Sequence, residues 1–195
     1  MSPQSKKPDE KKPLVVLIHG LAAGPLSMSV IGRMLQTRGF RVVYWGYPSL
    51  FQPIENHAIR LREYLTESLA DEPKIHIVAH SMGPIVVRGA LAYGPIPNLG
   101  RLAFLAPPNQ GLPKARFAEK FLGRLLRPLA DLSSRPDSYV CSLPPASNVE
   151  IGIIAAKYDL LIPVRRTHLE GENYHEVIHS CHISILFSRR AANLI

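Results

Sequence analysis

The stretch Ile75-His76-Ile77-Val78-Ala79-His80-Ser81-Met82-Gly83 constrains this chain more than any other. Its apolar, largely β-branched start reads as a buried strand over 75–79. The residues after it read as a helix over 83–93, with Pro84 at a position where proline fits the first turn. Ser81 stands between the two. A strand that turns directly into a helix forces the intervening residue into a strained backbone and projects its side chain beyond the sheet. The positions two before and two after must be small, because backbone passes close to backbone there. They are Ala79 and Gly83. The short pattern alone also occurs in ordinary turns; the strand before it and the helix after it give it weight.

Further apolar runs repeat the theme. Strands are expected at 13–18, 41–46, 101–105, 149–155 and 173–179, besides 75–79. Helices are expected at about 26–38, 55–70, 83–93 and 183–195, with a short one near 163–168. Strands alternating with helices predict βαβ units, hence an α/β fold with a parallel sheet of about six strands and helices on both faces.

A chain of 195 residues, 46% hydrophobic, suits one domain, expected over 13–195. Residues 1–12 are polar, with Lys6, Lys7, Lys11 and Lys12, and read as a disordered basic tail. They lack the apolar core of a signal peptide, and no run reaches the ~18 apolar residues of a membrane span. A cytoplasmic location is therefore expected. Cys141 and Cys181 do not make a disulfide framework. The net charge of +8 permits weak attraction to anionic membrane surfaces. No nucleic-acid-binding motif accompanies it, so no nucleic-acid partner is expected.

Residues 107–147 are too long for a bare crossover loop. Phe117, Phe121, Leu122, Leu125, Leu126 and Leu129 recur there at helical spacing, flanked by Lys114, Arg116, Lys120, Arg124 and Arg127. This predicts an amphipathic helix inserted after the fourth strand. It has three readings: a cover for the sheet, a cap over a site, or an interfacial anchor.

A serine hydroxyl becomes a nucleophile when an imidazole takes its proton and a carboxylate orients that imidazole. Ser81 is the candidate nucleophile. His182, after the last strand, is the candidate base; His168, His175 and His179 are its rivals, the last two held to sheet faces. Asp159, just beyond the fifth strand, is the candidate acid. Asp131 and Asp137 fall in the insertion, and Glu170, Glu172 and Glu176 too near the last strand. The Gly-rich turn His19-Gly20-Leu21-Ala22-Ala23-Gly24 follows the first strand. Leu21 and Met82 are the candidate donors of backbone N–H groups to an oxyanion. His19 reads as a structural hydrogen-bonding partner. His175, His179, Cys181 and His182 fit no standard zinc spacing, so no metal and no cofactor are expected.

On these residues the chain resembles the α/β-hydrolase superfamily, in the order serine, aspartate, histidine. It is similar to small lipases and esterases with an Ala-His-Ser-Met-Gly elbow and to lipase-like hydrolases carrying Leu-Ala-Pro-Pro-Asn-Gln-Gly, here Leu105 to Gly111. Pro84, Leu160 and Cys181 stand where such relatives often carry glycine. The resemblance implies a sheet without the first two strands of larger relatives, and hydrolysis of small-molecule or lipid esters through an acyl-enzyme. Acyl transfer, thioester or amide cleavage on the same residues, and a non-catalytic binding role are the alternatives.

Overall fold

Six short segments hydrogen-bond side by side into one all-parallel sheet. They are β1 (Leu14–Ile18), β2 (Arg41–Trp45), β3 (Ile75–His80), β4 (Leu99–Leu105), β5 (Ile151–Ala156) and β6 (Tyr174–Ile178), in the spatial order β2-β1-β3-β4-β5-β6. The computed structural model describes residues 12–113, 127–146 and 148–195. The expected basic tail and most of the amphipathic stripe of the insertion lie outside them.

β1 is buried along its whole length, as a strand covered on both faces must be. Helices α2 (Ile54–Glu63) and α3 (Gly83–Ala92) pack together on one face, over Val16, Ile18, Ile77, Phe104 and Ile153. Helix α1 (Ser29–Gln36) and the C-terminal segment cover the other, over Val15, Leu17, Val78 and Ile154. Within the insertion, two short helices are described, α4 (Arg127–Asp131) and α5 (Tyr139–Ser142). Among the described residues no helix is long and apolar enough to cross a membrane.

Three expected helices break up, the second and the last at a side-chain hydroxyl. The first begins as a 3-10 turn, Pro25–Met28, before α1. The second ends at Glu63 and continues as a π turn, Tyr64–Ser68, where Thr66 Oγ1 donates back to the Arg62 carbonyl at 2.9 Å. The last is a 3-10 turn, Ser184–Phe187, then α6 (Arg189–Leu194). Ser188 separates them: its hydroxyl caps α6 by accepting from the Ala191 N–H. The short helix near 163–168 is a single 3-10 turn, Val164–Arg166.

The strand order reverses between β1 and β3, and the chains leaving these two neighbours diverge. That switch point opens a crevice at their carboxyl ends. The turn at Gly20 and the serine at 81 both lie there.

Candidate active site

Ser81 adopts φ +57°, the left-handed conformation a strand-to-helix turn imposes. Two glycines make room for it. A Cβ on Gly20 would meet Ser81 Cβ at 2.7 Å, and one on Gly83 would meet the Ile18 and His19 carbonyl oxygens at 2.9 and 3.0 Å. The Ser81 N–H donates to the Leu105 carbonyl at 2.9 Å, fixing the turn to the end of β4.

His182 and Asp159 come from loops beyond β6 and β5. His182 Nε2 lies 3.0 Å from Ser81 Oγ, and His182 Nδ1 lies 2.6 Å from Asp159 Oδ2. The other carboxylate oxygen, Oδ1, accepts the N–H groups of Leu161 and Ile162, both at 2.8 Å. Burial alone would push the Asp159 pKa up; these bonds and the imidazole outweigh it and hold Asp159 below the ordinary carboxylate range. An ionised Asp159 only accepts, so Nδ1 of His182 carries the proton and Nε2 presents its lone pair to the serine.

His80 was not singled out by the sequence, which ends the strand one residue earlier. It is buried, and its ring lies 4.9 Å from that of His182. Its Nε2 donates to the His182 carbonyl at 2.9 Å, tying the His182 loop to the end of β3. Burial, with the neighbouring His182, lowers its pKa to about 4, so this ring is neutral at neutral pH.

The Gly20 turn is braced from behind. Tyr47 stacks on His19 at 4.4 Å, its hydroxyl donates to the His19 carbonyl at 2.7 Å, and its N–H donates to His19 Nε2. His19 Nδ1 therefore carries the proton donated to the Gly20 carbonyl at 2.9 Å. The run after β4 is pinned as well. Asn109 is buried, donates to the Thr167 carbonyl at 2.7 Å, and accepts from Arg88 of α3. Gly111 has φ +69°, and a Cβ there would meet the Ser133 carbonyl at 2.5 Å.

A cavity of about 510 Å³ opens over Ser81 and His182. Leu21, Leu112, Leu129, Leu132, Leu161 and Leu186 line much of it. A larger hollow of about 730 Å³ lies near the start of the strands and contains none of the candidate residues. The rival histidines are engaged elsewhere: His179 with the Tyr158 hydroxyl, His175 with Thr167, His168 with Glu172. The set His175, His179, Cys181 and His182 is not brought together. Asp131 accepts the N–H of Ile54 at the start of α2.

The parallel sheet, its order and the elbow after β3 define an α/β-hydrolase fold. A family model described as "Putative serine esterase (DUF676)" matches residues 8–107, just over half of the chain, and the chain belongs to this family. It is thereby a hydrolase of the esterase class. No curated protein matches it. Among solved structures, the mature Bacillus licheniformis lipase BlEst2 is similar over 97% of this chain and 91% of its own, at 16% identity and a TM-score of 0.75. A lipase-esterase related protein from Clostridium acetobutylicum ATCC 824 is similar over 95% and 93%, at 14% identity and 0.68. Aspergillus fumigatus lipase B is similar over 94% of this chain and 51% of its own, at 15% identity and 0.75.

Proposed function

We propose that this protein hydrolyses carboxylic esters with apolar acyl groups, using Ser81, His182 and Asp159 as a catalytic triad. Ser81 Oγ attacks the acyl carbonyl carbon while His182 Nε2 takes its proton. The N–H groups of Leu21 and Met82 receive the developing oxyanion; neither donates to another group among the described residues. Met82 also precedes the first residue of α3, where the helix dipole favours negative charge. His182 returns the proton to the departing alkoxide, leaving an acyl-enzyme. Water then attacks, His182 again serving as base, and the acid is released. Asp159 orients the imidazole and stabilises its protonated form throughout. No step calls for a metal or cofactor.

The observation that carries this reading is the unbroken Asp159–His182–Ser81 chain of hydrogen bonds opening into an apolar cavity. The lining supports apolar acyl groups, and the similarity to lipase structures points the same way. Leu112, Leu129 and Leu132 fall within 107–147, which supports a share for that insertion in holding the acyl chain. A fluorophosphonate probe should label Ser81, identified by peptide mapping. Labelling of another residue, or none alongside undiminished p-nitrophenyl ester hydrolysis, overturns the proposal.

A further inference from the structure

Away from Ser81, the described residues bring together one other set of metal-ligating side chains, His168, Glu172 and His175. The first two follow the 3-10 turn Val164–Arg166, and His175 is the second residue of β6. One donor atom from each lies within 4.8 Å of the other two. The imidazole rings stack with centroids 3.8 Å apart. Glu172 Oε1 lies 2.8 Å from His168 Nδ1, and Glu172 Oε2 is fixed by the Leu169 N–H, also at 2.8 Å.

The surroundings set the tautomer of His175. Thr167 Oγ1 donates its one proton to the Val164 carbonyl at 2.7 Å. Towards His175 Nε2, 2.8 Å away, it can only accept. Nε2 therefore carries the ring proton, and Nδ1 holds the lone pair. Metal-binding histidines are held in this way, with the far N–H given to an oxygen that fixes the ring.

We propose that His168, Glu172 and His175 bind one divalent transition-metal ion of the Zn²⁺ class, with a structural role. Two imidazoles and a carboxylate suit such an ion, whereas Ca²⁺ and Mg²⁺ favour shells of oxygen. Metal–ligand bonds of about 2.0–2.2 Å put tetrahedral donors about 3.3 Å apart. Contraction from 4.8 Å closes at most about 1.5 Å, and the His168 ring must also turn out of its stack on His175 so that both lone pairs meet the ion. The half-exposed His168 side chain supplies both by rotation. The ion replaces the proton shared between His168 Nδ1 and Glu172 Oε1, and water completes the shell. It ties the turn after Val164–Arg166 to the edge strand β6, within the segment joining Asp159 to His182.

ZnCl₂ titrated into the metal-free full chain, followed by calorimetry and thermal melting, tests the site. One ion per chain is expected, raising the melting temperature by about 5–10 °C at a hundredfold excess over Kd. His168→Ala, on an exposed side chain, and the isosteric Glu172→Gln should each weaken Zn²⁺ at least about tenfold. His182→Ala should leave the stoichiometry at one. Absence of saturable binding up to about 1 mM Zn²⁺ overturns the proposal. So does binding that survives both His168→Ala and Glu172→Gln, or that disappears only with His182→Ala, which would put the ion at Ser81 instead.

Discussion

Ser81 and the two side chains hydrogen-bonded in series with it, His182 and Asp159, are held in different ways. Ser81 is fixed by backbone: a buried strand, a left-handed turn, two glycines and a helix leave it one place to stand. Asp159 and His182 ride on loops, and side-chain hydrogen bonds set their position. The family match follows the same division, since residues 8–107 include Ser81, Gly20 and Leu21 but neither Asp159 nor His182. The place of Ser81 is thus a property of the fold, and that of His182 and Asp159 a property of a few polar contacts.

The deepest test of that division is Ser81→Ala. It should lower kcat for a short p-nitrophenyl ester by about 10³-fold or more with the melting temperature nearly unchanged. A variant at near wild-type rate would refute the assignment. His182→Ala and Asp159→Asn should each cost about 10³-fold, and neither should add in full to Ser81→Ala, because the three act as a unit. Asp159 is held ionised below the ordinary carboxylate range, so the rate should fall on mild acidification with the slope of a single proton. A two-proton slope would separate the pair.

Gly20→Ala tests the backbone side. Its Cβ would press on Ser81 Cβ at 2.7 Å, so the elbow must shift. Activity should drop about 10²-fold, since displacement of about 1 Å suffices for that, with about 1–3 kcal/mol of lost stability. Unaltered kinetics would show that the elbow is not fixed as tightly as its contacts imply.

A smaller effect is expected from His80, which joins the two regions. His80→Phe removes the bond to the His182 carbonyl and should lower kcat by about tenfold with little change in KM. The same residue makes stability pH-dependent. His80 and His57 are both buried, and burial lowers each pKa from 6.5 to about 4. The unfolded chain takes up these protons first as pH falls. Stability should therefore decline between about pH 6.5 and 4, by up to about 1.4 kcal/mol per pH unit for each histidine. Urea midpoints measured across that range should flatten in His57→Gln and His80→Phe; an unchanged slope would rule out both histidines as its source.

The sheet was legible because fully buried parallel strands must be apolar throughout, as Val15, Val16 and Leu17 are. The elbow was legible because steric crowding demands glycine at Gly83, two residues after the serine. The positions of His182 and Asp159 followed from chain order and strand ends. The helix breaks at Thr66 and Ser188 were not, since a hydroxyl that caps or bends a helix reads in sequence like any polar residue. The bracing contacts of His80, Tyr47 and Asn109 were illegible for another reason. Their partners are main-chain atoms far away in sequence, which leave no pattern in the side chains between. The pairing of His168 and Glu172 with His175 likewise depends on how one turn folds against an edge strand.

The left-handed backbone at Ser81 also bears on how the sequence is kept by selection. A non-glycine residue in such a conformation holds the folded state about 1 kcal/mol or more above what glycine would allow. Ser81→Gly should therefore melt at a higher temperature than the native protein while losing activity as Ser81→Ala does, and a lower melting temperature would show the turn to be unstrained. Screening variants for robustness alone would then favour the loss of the serine. If folding were the only demand on that position, glycine would serve there better than serine.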